Sequence, residues 1–182
     1  MDKTKPFRHV WVAGAGTMGH GLALLMARAG CEVSLSDPSE TVLNNARDLV
    51  AAHLAVLADE GQMDRDTTRA VMDRIHPVTP AHAPTDADLI IEAISETVDA
   101  KRAFFADVVR KCSADSVVAS NTSYLNVFDL APPGLQRRLL ICHFFAPPYI
   151  VPLVEIVNGP ATDPAVVARM HTFLSSIGQK PV

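Results

Sequence analysis

The sequence lacks any excess of positive charge, since 16 lysines and arginines stand against 20 aspartates and glutamates, for a formal net charge of −4. A basic face for nucleic acid or for anionic lipid is therefore not expected. Hydrophobic residues make up 48% of the chain, which is typical of an ordinary globular protein. A length of 182 residues suits one well-cored domain and is too short for two. We therefore expect residues 1–182 to form a single domain.

Cysteines and long apolar runs are also scarce. The three cysteines (Cys31, Cys112 and Cys142) are odd in number, widely spaced and set among apolar residues, which argues against a disulfide framework or a metal site. No apolar run approaches the roughly 20 residues needed to span a bilayer, and the first ten residues lack the apolar core of a signal peptide. These absences predict a cytoplasmic protein with reduced thiols and no membrane partner.

The stretch from His9 to Asp37 contains the most informative motif. Its G-x-G-x-x-G pattern (Gly14, Ala15, Gly16, Thr17, Met18 and Gly19) directly follows an apolar run and directly precedes a helical pattern. In that context the first glycine permits a tight turn, the second lets backbone amides approach a pyrophosphate, and the third allows close packing of helix on strand. The motif predicts a dinucleotide site.

Asp37 identifies the dinucleotide. It ends a second apolar strand, 18 residues after Gly19, where a carboxylate can accept hydrogen bonds from the adenosine ribose hydroxyls. The same charge would repel a 2′-phosphate. The sequence therefore predicts NAD rather than NADP as the cofactor.

Apolar runs and helical patterns alternate along the chain, which is typical of an α/β protein. We predict a Rossmann-type, doubly wound, mostly parallel sheet with right-handed crossovers. Two helical patterns, from Glu40 to Ala58 and from Asp64 to Ile75, occupy the place of one short crossover. They predict a helical hairpin over residues 40–75 that projects from the sheet.

Four polar elements are expected at the carboxyl edge of this sheet, where open α/β sheets bind ligands: the glycine turn, Glu96, the Ser120 to Ser123 loop and His143. Hydride transfer from a secondary alcohol needs a base for the hydroxyl proton, and histidine serves best near neutral pH. His143 is the candidate base. Glu155 stands in an apolar run and is costly to bury alone, so we expect it to hold the other ring nitrogen. Ser123 can hydrogen-bond the substrate oxygen.

The chain resembles the NAD-binding domain of the 3-hydroxyacyl-CoA dehydrogenase family. The resemblance rests on five motifs in the same order, which cover nearly the whole chain: GAGTMG (14–19), IIEAISE (90–96), ASNTSYL (119–125), HFFAP (143–147) and PLVEIV (152–157). It implies that Asp37, Glu96, Lys101 and Ser123 contact NAD together with the glycine turn. It also implies that Ser123, His143 and Glu155 form the catalytic set.

Three departures from the family pattern affect these expectations. An asparagine that usually touches the cofactor is replaced by Ala146. The positions of a CoA-contacting serine and lysine fall on His53 and Glu60, and no lysine occurs between Lys5 and Lys101. A carboxylate cannot hold a CoA phosphate, so the hairpin has lost the cationic character that phosphate binding uses. Finally, the family continues into a helical domain that supplies the dimer interface, and this sequence stops at the junction.

The resemblance leaves the substrate class open. The text from Ala146 to Glu155 is closer to the branch of L-gulonate 3-dehydrogenase and lambda-crystallin, which acts on free 3-hydroxy acids, whereas the S-N-T-S spelling is that of the acyl-CoA enzymes. We place oxidation of a 3-hydroxyacyl-CoA slightly ahead of oxidation of a free hydroxy acid. A dehydrogenase of the 6-phosphogluconate type lacks support, because its glycine-glycine loop and catalytic lysine are absent. A non-catalytic NAD-binding role is disfavoured by the retention of Ser123, His143 and Glu155.

Two further expectations concern ligands and partners. The other histidines show no metal-ligand spacing, so no metal site is predicted. The full-length protein is expected to be a homodimer through the helical domain, and the isolated NAD-binding domain is expected to bind NADH with negligible turnover.

Overall fold

The computed structural model describes residues 7–182, which form a sheet between two layers of helices. The eight strands are β1 (His9–Ala13), β2 (Glu32–Ser36), β3 (Ile75–Val78), β4 (Leu89–Glu92), β5 (Val117–Ser120), β6 (Leu139–Phe144), β7 (Leu153–Asn158) and β8 (Lys180–Pro181). The six α-helices are α1 (Gly19–Arg28), α2 (Glu40–Asp59), α3 (Arg65–Asp73), α4 (Val98–Lys111), α5 (Pro133–Gln136) and α6 (Pro164–Ser176).

The strands lie in the order β3-β2-β1-β4-β5-β6-β7-β8. The pairs from β3 across to β6 are parallel, β7 is antiparallel to β6, and β8 is parallel to β7. The strand order reverses between β1 and β4, and ligands bind at such a switch point in open α/β sheets. The predicted Rossmann-type, mostly parallel sheet is confirmed.

Alternation along β1 divides the core into two layers. Val10 and Val12 pack towards α1 and α6, whereas Trp11 and Ala13 pack towards α4 and α5. Because both faces of the sheet are covered, its central strands are continuously apolar, as in other parallel sheets. Within the described residues no helix is long and apolar enough to cross a membrane.

Side-chain caps begin the helices α2, α3 and α6. Ser39 accepts a hydrogen bond from the Val42 amide at the start of α2, and Asp64 accepts one from the Thr67 amide (2.6 Å) at the start of α3. Asp163 accepts one from the Ala165 amide (2.8 Å) and precedes a proline at the first turn of α6. Each cap satisfies an amide that has no partner within its helix.

The helical hairpin is formed by α2 and α3, but it does not stand free of the domain. Leu43, Ala46, Val50 and Leu54 of α2 are buried in the same core cluster as the residues of α1. This apolar stripe holds the hairpin against α1, so that only its outer face is exposed. The short helix α5 was not predicted, because four residues are too few to show a helical period.

Candidate cofactor groove and catalytic pair

A groove of about 410 Å³ opens at the carboxyl edge of β1, β4 and β5. Its walls are formed by the glycine turn after β1, the segment after β4 and the loop after β5. The residues that line it are Gly16, Thr17, Met18, Glu92, Ala93, Ile94, Ser95, Glu96, Lys101, Asn121, Ser123 and Tyr124. Three of the four elements expected at this edge therefore meet in one groove.

Two glycines allow the turn to pack against its surroundings. Gly14 has φ +96°, and a Cβ on it would lie 2.3 Å from the carbonyl oxygen of Ala93. A Cβ on Gly19 would lie 1.8 Å from the carbonyl oxygen of Gly14. By contrast, a Cβ on Gly16 would meet nothing within 4 Å, so the turn presents its backbone to the groove at this position.

The turn offers hydrogen-bond donors as well as space. Within residues 7–182 the amides of Gly16, Thr17 and Met18 have no hydrogen-bond partner, and they lie just before the amino end of α1. Free amides at a helix amino terminus favour an anion such as a pyrophosphate. The residues present therefore fit a dinucleotide.

Asp37 stands at the end of β2 beside this turn. Its Oδ2 accepts a hydrogen bond from the Ala15 amide (3.1 Å), and its Oδ1 accepts one from the Ser39 amide (2.9 Å). These bonds fix the carboxylate between the turn and the start of α2. Each oxygen keeps a lone pair that can accept from a ribose hydroxyl.

Glu96 forms the far wall of the groove and is 26% exposed. Its Oε1 accepts hydrogen bonds from the Thr122 hydroxyl and the Ser123 amide, and its Oε2 lies 2.9 Å from Lys101 Nζ. Burial alone would raise the pKa of this carboxyl, but the bonds from Thr122 and Lys101 outweigh burial and hold the pKa below its ordinary value. Glu96 is therefore an ionised acceptor at neutral pH.

Lys101 lines the groove, and its predicted contact with NAD stays a prediction. Its side chain is 1% exposed, and its Nζ lies within 2.7–2.9 Å of two Glu92 oxygens and one Glu96 oxygen. An ammonium has three N–H donors, and all three are directed at carboxylates. Lys101 orients Glu96 in this arrangement and has no free donor for a ligand.

His143 and Glu155 face each other across two antiparallel strands. They are paired residues in the register of β6 and β7, and His143 Nδ1 lies 2.8 Å from Glu155 Oε2. Their side chains are 24% and 50% exposed. Within the described residues His143 Nε2 has no partner, so this nitrogen is free to exchange a proton with a bound molecule. The expected contact between these two side chains is present.

Ser123 lines the groove, whereas His143 and Glu155 are not among the residues that line it. The Ser123 hydroxyl has no hydrogen-bond partner among residues 7–182. The structure therefore brings together the glycine turn, Glu96 and Ser123, and it leaves the His143–Glu155 pair as a second feature on β6 and β7. A catalytic role for the three residues stays a prediction.

Three positions depart from the family pattern. His53 of α2 is part of a stack of rings, with centroids 5.4 Å from His20 and 5.0 Å from Tyr149. Glu60 is the exposed residue that ends α2, and Ala146 is exposed after β6. These residues place no cation on the hairpin at the positions that the resemblance links to CoA.

Glu92 takes part in the site and was not predicted to do so, whereas Ser120 and Thr122 were expected at this edge only as members of the Ser120 to Ser123 loop. Glu92 is fully buried and accepts from Lys101 and Ser120, while Thr122 donates to Glu96. One signal was available for Glu92, because a carboxylate inside the apolar run LIIEA needs a buried partner. The sequence does not show which lysine provides it.

Comparison with known proteins agrees with this geometry. The sequence matches the family described as "3-hydroxyacyl-CoA dehydrogenase, NAD binding domain" over residues 9–182. The chain therefore belongs to the 3-hydroxyacyl-CoA dehydrogenase family and corresponds to its NAD-binding domain, for which NAD is the cofactor.

The chain is similar to dehydrogenases of Escherichia coli and Mycobacterium tuberculosis. The chain is 36% identical over 174 residues to 3-hydroxyadipyl-CoA dehydrogenase of Escherichia coli K12, covering 95% of this chain and 37% of that protein. It is 35% identical over 178 residues to 3-hydroxybutyryl-CoA dehydrogenase of Mycobacterium tuberculosis, covering 96% and 62%. The crystal structure of 3-hydroxybutyryl-CoA dehydrogenase from E. coli K12 superposes with a TM-score of 0.92 at 34% identity, over 98% of this chain and 38% of that one.

The share of the relatives that is matched limits what they imply. The chain spans between 37% and 62% of the length of the two curated relatives. Their activity belongs to proteins longer than the matched domain.

Proposed function

We propose that this chain is the cofactor-binding and acid–base half of an NAD-dependent dehydrogenase that oxidises the 3-hydroxy group of a 3-hydroxyacyl-CoA, or reduces the corresponding ketone. The observation that carries the proposal is the His143–Glu155 pair, with its 2.8 Å contact and free Nε2, on the strand next to one that ends in the NAD groove. An acid–base pair beside a nicotinamide site is the equipment that alcohol oxidation requires.

His143 acts as the general base in this proposal. NAD, when bound, would supply the acceptor for the hydride that leaves the carbon carrying the hydroxyl. Nε2 of His143 takes the hydroxyl proton, and in the reverse direction it returns that proton to the carbonyl oxygen. An imidazole is suited to both directions near neutral pH.

Glu155 and Ser123 support this proton transfer. Glu155 holds the proton on Nδ1, which leaves Nε2 as the acceptor, and its charge stabilises the imidazolium that forms. Ser123, whose hydroxyl is free and exposed, donates a hydrogen bond to the substrate oxygen and orients it towards Nε2. Glu96, together with Asp37 and the glycine turn, holds the cofactor.

A free 3-hydroxy acid is the second candidate substrate, and the charge of the hairpin favours it. Residues 40–75 contain no lysine, and their four arginines are outnumbered by seven carboxylates, which disfavours a CoA phosphate. The 3-hydroxyacyl-CoA candidate draws on the names of the relatives, both of which are dehydrogenases of a 3-hydroxyacyl-CoA. The two candidates therefore rest on different observations.

Three features of the wider protein belong to the same proposal. A second, helical domain would complete the substrate cleft and pair two copies into a homodimer, because the exposed catalytic pair needs a cover that excludes water. A cytosolic location is supported by three free cysteines, none of which lies in a disulfide. The substrate partner is a small molecule.

A substrate panel tests the proposal and separates its alternatives. NADH consumption at 340 nm is followed with acetoacetyl-CoA, and NAD reduction is followed with free 3-hydroxy acids such as L-gulonate. We expect turnover when the chain is joined to a helical domain, with the acyl-CoA substrate preferred. Preference for the free acid would select the second candidate. NADH binding with no turnover on any substrate would favour a non-catalytic role.

The chain without a helical domain is the matched control. We expect it to bind NADH and to show negligible turnover, because one wall of the cleft is missing. Turnover comparable to that of the longer protein would contradict the cleft argument.

A further inference from the structure

Five residues form a closed ring of hydrogen bonds at the far wall of the candidate cofactor groove. Glu92 bonds Lys101, Lys101 bonds Glu96, Glu96 accepts from Thr122, the Thr122 amide donates to Ser120, and the Ser120 hydroxyl donates back to Glu92. Glu92, Lys101 and Ser120 are between 0% and 1% exposed, whereas Glu96 presents a 26% exposed side chain to the groove. The ring therefore has one exposed corner.

The donors and acceptors of the buried corners are fully used. Glu92 accepts from Lys101 and the Ile94 amide on Oε1 (2.7 and 3.0 Å), and from Lys101 (2.8 Å) and Ser120 on Oε2. Two carboxylate oxygens offer about four acceptor sites, and all are occupied. Glu96 Oε2 accepts only from Lys101, so one lone pair remains for a ligand.

We propose that Glu92 is a positioning residue for NAD binding, which acts through Lys101 and Ser120 to hold the Glu96 carboxylate at the groove. This inference rests on the proposed function in one respect, namely that Glu96 accepts a hydrogen bond from the cofactor. The carboxylate oxygens of Glu92 are fully hydrogen-bonded within the protein and keep no acceptor site for a ligand. It ties together the ends of β4 and β5 and the first turns of α4, which are the three elements that carry the far wall.

Charge balance explains why a carboxylate is needed at this buried position. Lys101 is an ammonium with almost no contact with water, and burying it requires counter-charge within hydrogen-bond distance. Glu92 supplies two of its three bonds. Without Glu92, Glu96 would be the sole counter-ion and would be drawn towards Lys101, away from the groove and from Thr122.

The first test is NADH affinity of the Glu92→Gln variant, measured by titration of NADH fluorescence on the 182-residue chain. We expect affinity to fall about tenfold, the usual cost of losing one partner of a charged hydrogen bond. Asp88→Asn is the matched control, because it makes the same change at the opposite end of β4. Asp88 accepts from the backbone amides of Arg8 and His9 (3.0 and 3.2 Å) and lies outside the groove. We expect its NADH affinity to equal that of wild type.

A double-variant cycle tests the route of action. If Glu92 acts mainly through Lys101, then Glu92→Gln should cost little further affinity in a Lys101→Met background, since the buried charge has already been removed. If the fold-losses of NADH affinity in the two single variants multiply in the double variant, Glu92 does not act through Lys101 and the proposed route is overturned. The double variant also carries no unpaired buried ammonium, which favours its folding.

The pH profile of NADH binding separates positioning from general damage. The groups that face Glu96 are Glu92 from β4, Lys101 from α4, and Thr122 and Ser123 from the loop after β5. Removing the ammonium in Lys101→Met should shift the acid limb of NADH binding to higher pH, whereas removing the neighbouring negative charge in Glu92→Gln should shift it to lower pH. A merely structural role would give no such opposite shifts.

The outcomes distinguish this inference from the proposed function. Failure of the wild-type chain to bind NADH would contradict the proposed function itself. Wild-type affinity in a folded Glu92→Gln variant would overturn only the role of Glu92. If Glu92→Gln does not fold, Glu92→Asp replaces it, because aspartate keeps the charge but is one methylene too short to reach Lys101 and Ser120 together. Unchanged affinity in Glu92→Asp would equally overturn the inference.

Discussion

The candidate cofactor groove and the His143–Glu155 pair differ in how many hydrogen bonds hold their charged side chains in place. In the groove the charged residues are held by a closed network, and Glu92 and Lys101 have almost no exposure to water. On β6 and β7 a single 2.8 Å contact links two side chains that are 24% and 50% exposed. Each charged side chain of the Lys101 network is therefore held by several hydrogen bonds, whereas among residues 7–182 the side chains of His143 and Glu155 are held only by the bond between them.

The difference assigns different tasks to the two regions. A rigid, satisfied network is suited to binding a cofactor whose shape does not change between turnovers. A half-exposed histidine with one free nitrogen is suited to proton transfer, but it gains its full effect only when water is excluded. We therefore expect changes in the groove to affect binding and changes in the pair to affect turnover.

The largest expected effect follows replacement of His143. In a protein that joins this chain to a helical domain of the family, His143→Gln should lower kcat at least about 100-fold, since loss of a general base costs roughly 10²–10⁴ in rate. NADH affinity should stay near the wild-type value, because His143 does not line the groove. Steady-state kinetics and NADH titration measure the two quantities.

Glu155→Gln is the companion variant, and a milder fall in kcat is expected, because an amide still contacts Nδ1 but no longer stabilises the imidazolium. Unchanged kcat in His143→Gln would refute the acid–base pair. If His143→Gln lowers NADH affinity as much as it lowers turnover, then the groove and the His143–Glu155 pair do not differ in function as expected.

The glycine turn gives the next largest effect, with a matched pair of variants. In Gly16→Ala the new methyl group enters open space, so we expect little change in Tm. NADH affinity should fall at least about tenfold, because the methyl group would occupy the space through which the pyrophosphate approaches the backbone. In Gly19→Ala the methyl group would lie 1.8 Å from the Gly14 carbonyl oxygen, so stability should fall by about 1–3 kcal/mol. Thermal unfolding and NADH titration of both variants test the assignment. Normal NADH affinity in Gly16→Ala would show that the cofactor does not approach this turn.

Asp37 should determine the preference between NADH and NADPH. Calorimetry is expected to show NADH bound well ahead of NADPH, because the carboxylate repels a 2′-phosphate. Asp37→Asn should reduce that preference about tenfold while keeping the side-chain shape. Equal affinity of wild type for the two dinucleotides would contradict this role of Asp37.

The sequence predicted most of the fold because long periodic segments and side-chain caps specify it locally. The helix over residues 98–111, the caps Ser39 and Asp64, and the two strands that carry His143 and Glu155 could all be predicted from pattern. The short α5 lacks a full period. The packing of the hairpin on α1 was missed, because periodicity shows which face is apolar but not what covers it.

The candidate site was predicted less evenly. The glycine turn and Asp37 lie close together in sequence, so their motif describes their geometry. The His143–Glu155 contact was expected from the cost of burying an acid alone, but Glu155 is 50% exposed, and the contact comes instead from the pairing of the two residues across β6 and β7. The ring around Lys101 could not be inferred, because it joins β4, α4 and the loop after β5, and sequence spacing does not reveal how an ammonium divides its three donors. The cofactor-binding and catalytic assignments of these residues stay predictions.

The smallest expected effect concerns His53 on the hairpin, which has a buried ring nitrogen (Nδ1) without a hydrogen-bond partner among the described residues and no role in the proposed function. Burial, reinforced by the neighbouring His20, lowers the pKa of His53 below its ordinary value of 6.5. The Tyr149 ring also packs against His53, with the two ring centroids 5.0 Å apart.

The direction of the pH effect follows from that pKa. Below about pH 6.5 the unfolded chain binds a proton on His53 that the folded chain resists, so the free energy of unfolding falls as pH decreases towards the lowered pKa. His53→Phe keeps a ring in the stack, removes the unpaired nitrogen and removes the titration. We expect about 1 kcal/mol of added stability, or a Tm increase of about 2–4 °C, with a larger gain at pH 5.5 than at pH 7.5. His171→Phe, on the exposed face of α6, is the control and should show no such pH-dependent gain. A lower Tm for His53→Phe at both pH values would mean that His53 Nδ1 has a hydrogen-bond partner that stabilises the fold. The hairpin would then resemble the hydrogen-bonded network around Lys101 rather than the half-exposed His143–Glu155 pair.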